Sequence, residues 1–499
     1  MSEARVLAAG SIIATNYLAQ LITLADSYFR HHPDGRFFAT VVDGLPGDVA
    51  LDPRISLVPF DELAGEDRAS LTMRYGVQEL CSASKPRLLE HLLHRHGVDA
   101  VVLIDADSLI LRPLSEIAEA LQRSSIVLIP HLIDPIPLDG HRPAELDILL
   151  AGAFGGGLVS VARHPETQRF LAWWRERAGE QGTLEPQKGT LGCQRWLDLV
   201  PGMFAGVEVL RHPGYNVGHW ALSGHSIERH GNGFTIDGQP IATVHFSGFD
   251  PDHPTEISRF QDRVRITPGT ALAALHSDYA ATLYAHGYAT HSRRSYGYGQ
   301  FSDGVPVSFH LRRLYHQLGP RQRGGLGDPW CIQRRSTFRA WATEPIPEWG
   351  YLTPLALHLH SERADLAGAF PDVAGRDREA YVAWLRDAEP ECAAGCEPRA
   401  AAADQPDMDD LRRTMASYAE GIADLRQRVA DRERELAEQS TQMARLRAEL
   451  AATQRQQEQL GHTRDRLEAE LASLKRSPTW RVAGRIWQLR QWARRLSRR

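Results

Sequence analysis

From residue 5 onward, short apolar runs alternate with amphipathic stretches. Arg5 to Ala9 and Ile12 to Ala14 read as a buried strand and its exit loop. Leu18, Leu21, Leu24, Ala25 and Phe29 then mark one face of a helix over about 17–30. Phe37 to Val42, closed by Asp43-Gly44, predicts a second strand, and Ile55 to Val58, stopped by Pro59, a third. Lys85 to His96 carries Leu88, Leu89, Leu92 and Leu93 and ends at Gly97, which predicts a helix. Ala100 to Ile104 is apolar without alternation, the mark of a parallel strand covered on both faces. More strands are predicted at Ile126 to Pro130, Gly155 to Val161, Val207 to Leu210, Phe234 to Ile236 and Ile241 to Phe246, with a helix from Glu166 to Arg177. This alternation predicts an α/β, doubly wound (Rossmann-like) domain over 1–251.

Residues 252–388 read as mostly helical, with Gly/Pro breaks near 320–330 and 345–354, either as a second domain or as a helical extension packed on the first. Ala, Pro, Glu and Asp dominate 389–409, the composition of a linker. From Leu411 to Leu474, steps of four and three meet apolar residues at fourteen of nineteen seam positions, flanked by Glu and Arg. That period predicts a coiled coil over 410–475, and with it a homo-oligomer or a partner helix; a single solvated helix folded on the body is the plainer alternative.

Charge matters chiefly at the end of the chain. A net charge of -5 over 499 residues gives no general pull towards nucleic acid. Yet Lys475 to Arg499 holds nine Lys or Arg and no acid, and 476–499 places Val482, Ile486, Leu489, Trp492 and Leu496 at helical spacing. Such a basic amphipathic tail suits a membrane surface through 478–499, or packing on the protein or a partner. No apolar run is long enough to span a bilayer, and the first residues read as a core strand rather than a signal peptide. Five unevenly spaced cysteines form no disulfide framework, and Cys392 and Cys396 lack a second pair of zinc ligands nearby. The expectation is a cytoplasmic protein, peripheral at the inner face of the cell membrane.

The candidate chemistry begins where the sixth predicted element ends. Asp105-Ala106-Asp107 follows the buried run 100–104, at the edge where parallel strands open into a ligand crevice. Two carboxylates crowded there call for a cation between them, and oxygen ligands suit Mg²⁺ or Mn²⁺. The plainer alternative is a solvated strand-end turn. His245 leaves another apolar strand and precedes Ser247-Gly248; on spacing alone it is a ligand or a hydrogen-bonded structural residue. Gly248 would let a phosphate approach the backbone.

These pieces resemble the retaining GT-A glycosyltransferases, which include glycogenin and the bacterial lipopolysaccharide galactosyl- and glucosyltransferases, and more closely a bacterial surface-glycan transferase group. The likeness runs through Asn16-Tyr17-Leu18, Glu79-Leu80-Cys81 with Lys85-Pro86, Asp105-Ala106-Asp107, Trp196 to Pro201, Gly214 to Trp220 and His245 to Gly248, and on to Tyr298-Gly299-Gln300-Phe301 and Phe370-Pro371-Asp372. The resemblance implies a metal-dependent transfer of a sugar from a nucleotide diphosphate sugar, a UDP-sugar above all, to a surface glycan or lipid-linked acceptor, with retention. It implies that Asp105, Asp107 and His245 hold Mn²⁺ or Mg²⁺. It places Asn16, Tyr17, Lys85, Asp105, Ala106, Cys193, Gln194, Asn216 and Gly248 at the nucleotide sugar, with Gln194 and Asp107 as catalytic residues. Core packing for Tyr17, an ordinary helix-start lysine for Lys85 and a turn for Asn216 remain the alternatives.

The chain departs from that family at two points. Cys193 stands before Gln194 where an Asp is usual, and Phe154-Gly155-Gly156-Gly157 stands where an Asn before Gly is usual. A thiol is a poor acceptor for sugar hydroxyls. The rival reading is therefore a nucleotide-sugar-binding scaffold of weak activity, organised by its coiled coil. A phosphohydrolase built on the Asp pair lacks any further acid cluster.

Overall fold

Seven strands build the central sheet. β1 (Leu7–Ile13), β2 (Phe37–Val41), β3 (Ile55–Leu57) and β4 (Ala100–Ile104) are mutually parallel. Across a short ribbon strand β5 (Ser108–Ile110) the chain reaches β6 (Ile126–Pro130), β7 (Phe154–Ala162) and β8 (Val207–Val209). The order is β8-β6-β7-β4-β1-β2-β3, and β7 alone runs antiparallel to its neighbours β4 and β6. A ninth strand, β9 (Thr243–His245), pairs antiparallel with β5 in a separate ribbon. The computed structural model describes residues 7–396, apart from 232 and 334–336, and beyond them only Ser473 and Ile486. Apart from those two residues, the coiled coil and the basic tail expected from the sequence lie outside the described residues.

Every residue of β1, β2 and β4 is buried, because helices cover both faces of the sheet. On one face lie α1 (Leu18–His31) and α3 (Ser115–Arg123), packing Leu21, Leu24, Ile117 and Leu121 against Val102 and Ile104. On the other lie α2 (Val77–Arg95) and α4 (Pro165–Gln181), packing Leu88, Leu92, Phe170 and Trp174 against Val101 and Leu103. The mixed α/β class is as expected, with one antiparallel strand added at its centre.

Several boundaries differ from the sequence reading. α2 begins at Val77, eight residues before Lys85, because Gly76 and Glu79 cap it: the Gly76 N–H donates to the Glu79 carboxylate at 3.2 Å. The expected strand at 241–246 shrinks to β9, and no helix forms between 252 and 270. Within the expected break at 320–330 a short helix, Pro320–Leu326, forms, with Pro at its first position.

The longer helices after residue 270 are α5 (Ala271–Ala285), α6 (Phe309–Gln317), α7 (Pro354–Glu362) and α8 (Arg378–Ala388), joined by turns and shorter helices. The described residues from 7 to 396 form one compact unit. α6, α7 and α8 share a core of Leu311, Leu314, Leu355, Leu359, Tyr381 and Leu385 that also takes in Met73. Arg312 on α6 donates to the carbonyls of Thr72 and Tyr75, at 2.6 and 2.9 Å, and so satisfies an otherwise open turn. The expected linker starts too early in the sequence reading. Pro390–Ala393 is helical, and Cys392 and Cys396 are fully buried in that same core. Their small apolar side chains are what that crowded position admits.

A candidate active site at the carboxyl end of the sheet

β4 delivers Asp105 to the sheet edge, and the Asp105 N–H donates to the Gly157 carbonyl of β7 at 2.8 Å. Three residues later β5 pairs Ser108 with His245 of β9, so a histidine 140 positions from Asp105 in sequence is set against the Asp pair. Further backbone bonds fix it: His245 N–H to the Val217 carbonyl at 2.9 Å, and Phe246 N–H to the Asp107 carbonyl at 2.8 Å. The His245 Nε2 atom lies 3.2 Å from an Asp107 carboxylate oxygen. Ligand atoms of Asp105, Asp107 and His245 all fall within 4.8 Å of one another. Two hard carboxylates with one imidazole are a donor set suited to Mn²⁺ or Mg²⁺, and their spacing lets one ion reach all three.

Asn216 orients the imidazole. Its φ of 53° puts it in the left-handed region, which Asn tolerates better than most residues. A 2.7 Å bond from its N–H to the Thr243 hydroxyl holds it there. Its side-chain oxygen then sits 3.2 Å from His245 Nδ1, which leaves Nε2 facing the carboxylates. The Asn216 amide nitrogen is buried without a partner. Electrostatics reinforce the pair. Burial works to lower His245, but the Asp107 charge and hydrogen bond override it and hold the imidazole above its ordinary range. Burial works to raise Asp107, and His245 overrides that in turn, so its carboxyl is held below its usual range.

Lys85 is no helix-start residue: it sits mid-way along α2, buried, with its ammonium 2.6 Å from Asp105 and 3.0 Å from the Gly156 carbonyl. Burial alone would lower it, and the Asp105 charge outweighs that and holds it protonated. Gln194 bridges two segments, accepting from the Gly156 N–H at 2.9 Å and donating to the Ala151 carbonyl at 3.0 Å. Cys193 lies beneath the surface at 1 % exposure, its N–H bonded to the Ser82 hydroxyl at 2.8 Å. Burial pushes its thiol up.

The sequence marked the three glycines of β7 only as a departure from the family; their neighbours show what they are for. A Cβ on Gly155 would stand 2.5 Å from the Asn216 amide nitrogen, and one on Gly156 2.9 Å from Gln194 Cβ. One on Gly157 would stand 2.6 Å from Asp105 and 2.7 Å from His245. Consecutive glycines inside a strand signal that something approaches closely. Here four site residues do, two of them against Gly157.

The remaining expected residues divide. Asn16 and Tyr17 form the turn after β1; Asn16 has an unpartnered buried oxygen, and Tyr17 is 39 % exposed. Asp43, which no local signal singles out, accepts from the Thr15 N–H at 2.9 Å and from the Gly297 N–H at 3.1 Å, tying that turn to the loop carrying Tyr296 and Tyr298. Ala106 is buried. Gly248 has a φ of 73°, and a Cβ there would meet Phe260 and Ser258, so local packing already accounts for the glycine. Trp220 stands edge-on to the His245 ring at 5.3 Å and closes that side of the site.

No family model matches the chain. Two proteins of Bacillus subtilis (strain 168) are similar to it. One, described as uncharacterized protein YfnF, is 28% identical over 234 residues, covering 46% of this chain and 75% of that protein. The other, uncharacterized protein YfnD, is 21% identical over 245 residues, covering 48% and 76%. Among solved structures, the galactosyltransferase LgtC in complex with donor and acceptor sugar analogs matches at a TM-score of 0.31 and 17% identity, over 55% of this chain and 95% of that one. The glycosyltransferase GlyE of Streptococcus pneumoniae TIGR4 matches at a TM-score of 0.33 and 12% identity, over 59% and 66%.

Proposed function

We propose that this chain is a divalent-metal-dependent glycosyltransferase, moving a sugar from a nucleoside diphosphate sugar, a UDP-sugar by preference, to a glycan or lipid-linked acceptor with retention. The observation that carries the reading is the convergence of Asp105, Asp107 and His245 with Lys85 at the carboxyl end of the sheet, where open α/β sheets take nucleotides. A bound ion would neutralise charge gathering on the departing diphosphate. Around it, Lys85 offers a buried ammonium to the phosphate oxygens. Asn216 keeps His245 in its ligating orientation, and Gln194, fixed at both ends of its amide, holds a rigid polar face beside the sugar. Asn16 and Tyr17 suit the base, with Asp43 bracing their turn. Fixed donors of this kind act without reorganising as charge develops.

Cys193 supports a second reading, a scaffold that binds the donor without turning it over, because its buried thiol offers no charged acceptor to sugar hydroxyls. In either reading the 410–475 repeat supplies self-association and 478–499 a contact with the inner face of the membrane. Among the described residues no helix is long and apolar enough to cross a membrane. The deciding experiment is transfer and donor hydrolysis with a panel of nucleotide sugars and Mn²⁺, on the full chain and on Asp107→Asn. Metal-dependent turnover lost in the variant is the expected result. Donor binding without turnover establishes the scaffold, and full turnover by Asp107→Asn removes the metal site.

A further inference from the structure

We propose that Lys85 is the resident counter-cation of Asp105, so that a divalent ion settles in this site together with a nucleoside diphosphate and only weakly without it. The inference rests on the proposed metal site and adds to it a residue that governs the order of loading.

The geometry sets up a competition. Asp105 and Asp107 bring two negative charges to the sheet edge, and each already faces a basic group of this same chain: Lys85 at 2.6 Å from Asp105, and His245 at 3.2 Å from Asp107. Lys85 is not a mobile surface lysine. It is only 9 % exposed, rises from the middle of α2 and is braced by the Gly156 carbonyl at 3.0 Å. A divalent ion bound by Asp105 therefore shares its ligand with an ammonium a few ångströms away, and the repulsion between them is felt even through water.

A diphosphate removes that conflict. An ammonium has three donors, of which Asp105 and the Gly156 carbonyl take two. Phosphate oxygens entering beside Asp105 give Lys85 a new anionic partner and give the ion further oxygen ligands. Whatever free energy the diphosphate adds to ion binding, the ion adds equally to diphosphate binding. Lys85 is thus a positioning residue: it keeps Asp105 in its ligating place while no ion is bound, and it yields when the phosphate arrives.

The test is Mn²⁺ binding by electron paramagnetic resonance, on the full chain, with and without UDP. Wild-type protein is expected to bind Mn²⁺ weakly alone and much more tightly with UDP. Lys85→Met is expected to bind Mn²⁺ alone at least about tenfold more tightly than wild type, since losing one charge beside a divalent ion is worth that much even at the dielectric of water. The gain from UDP shrinks in this variant. Lys85→Arg, which keeps the charge, is expected to bind Mn²⁺ alone as wild type does. If Lys85→Met does not fold, judged by circular dichroism, Lys85→Gln is read in its place. Bare Mn²⁺ binding by the neutral variant no tighter than wild type overturns the inference, as does equal tightening in Lys85→Arg. Asp107→Asn separates the two levels. If it leaves Mn²⁺ binding untouched, the metal site itself falls; if it abolishes binding while Lys85→Met changes nothing, only the role given to Lys85 falls.

Discussion

Gly157→Ala adds a single methyl group and tests the site's construction without touching any proposed ligand. The new Cβ would stand 2.6 Å from an Asp105 carboxylate oxygen and 2.7 Å from His245 Cε1, whereas ordinary contact begins at 3.4 Å. One or both side chains must therefore retreat by up to about 0.8 Å. Neither is free to do so cheaply. Asp105 is held by its own N–H on the Gly157 carbonyl and by Lys85, and His245 by Asn216 and the Val217 carbonyl. Ligand distances in a metal site tolerate only about 0.2 Å, so the displacement is several times what the ion accepts. The expected loss in Mn²⁺ affinity is about 10–100-fold, and overpacking in a rigid strand is expected to cost about 1–3 kcal/mol of stability. Mn²⁺ titration followed by electron paramagnetic resonance, together with thermal melting of the metal-free protein, reads both. A folded Gly157→Ala protein with wild-type Mn²⁺ affinity would refute the placement of Asp105 and His245 around one ion.

The His245–Asp107 pair makes the metal-free fold pH-dependent with a definite sign. His245 is raised, so its contribution is full below the unfolded histidine value of about 6.5 and is lost as pH climbs through the higher folded value. Asp107 is lowered, so its contribution is full above the unfolded carboxylate value of about 3.9 and is lost as pH falls through the lower folded value. The pair should therefore stabilise most between those limits, measured by urea unfolding across pH, and His245→Gln should flatten the profile. Because an ion must displace the His245 proton, Mn²⁺ affinity is expected to rise with pH above about 6.5; an affinity independent of pH there would count against His245 as a ligand. Ending the chain after Ala388 removes the buried Cys392 and Cys396 and the 2.7 Å bond from Arg378 to the Cys396 carbonyl. Relative to a chain ended at 396, a loss of about 2–4 kcal/mol in urea unfolding is expected, and equal stability would show that 389–396 is a linker after all.

How far the sequence revealed this molecule depends on which rule each segment obeys. β4 and β6 were legible because unbroken apolar runs of five have few other uses, and α1 because its apolar face keeps helical spacing from Leu18 to Phe29. The first turns of α2 were not, since the helix there buries Glu79, Ser84 and Lys85 and so breaks the periodicity that marks a helix. Two of those polar groups have distant partners: Glu79 meets Arg313 of α6, and Lys85 meets Asp105. The antiparallel run of β7 and the pairing of β5 with β9 were equally hidden, because register between segments far apart leaves no local trace. Asp105 and Asp107 could be chosen from their position after a strand, but His245 became a ligand only by family likeness, and Asp43 by nothing at all. The places that violate local rules turn out to be joined: Ala151 to Gln194, Gln194 to Gly156, Gly156 to Lys85 and Lys85 to Asp105, in one run of hydrogen bonds. A buried lysine in mid-helix and glycines inside a strand each weaken the element that carries them. Periodicity reports which faces are covered, and it is blind to charges that are covered in order to meet one another. That the exceptions converge on a single edge of the sheet is why we read them as a site rather than as defects.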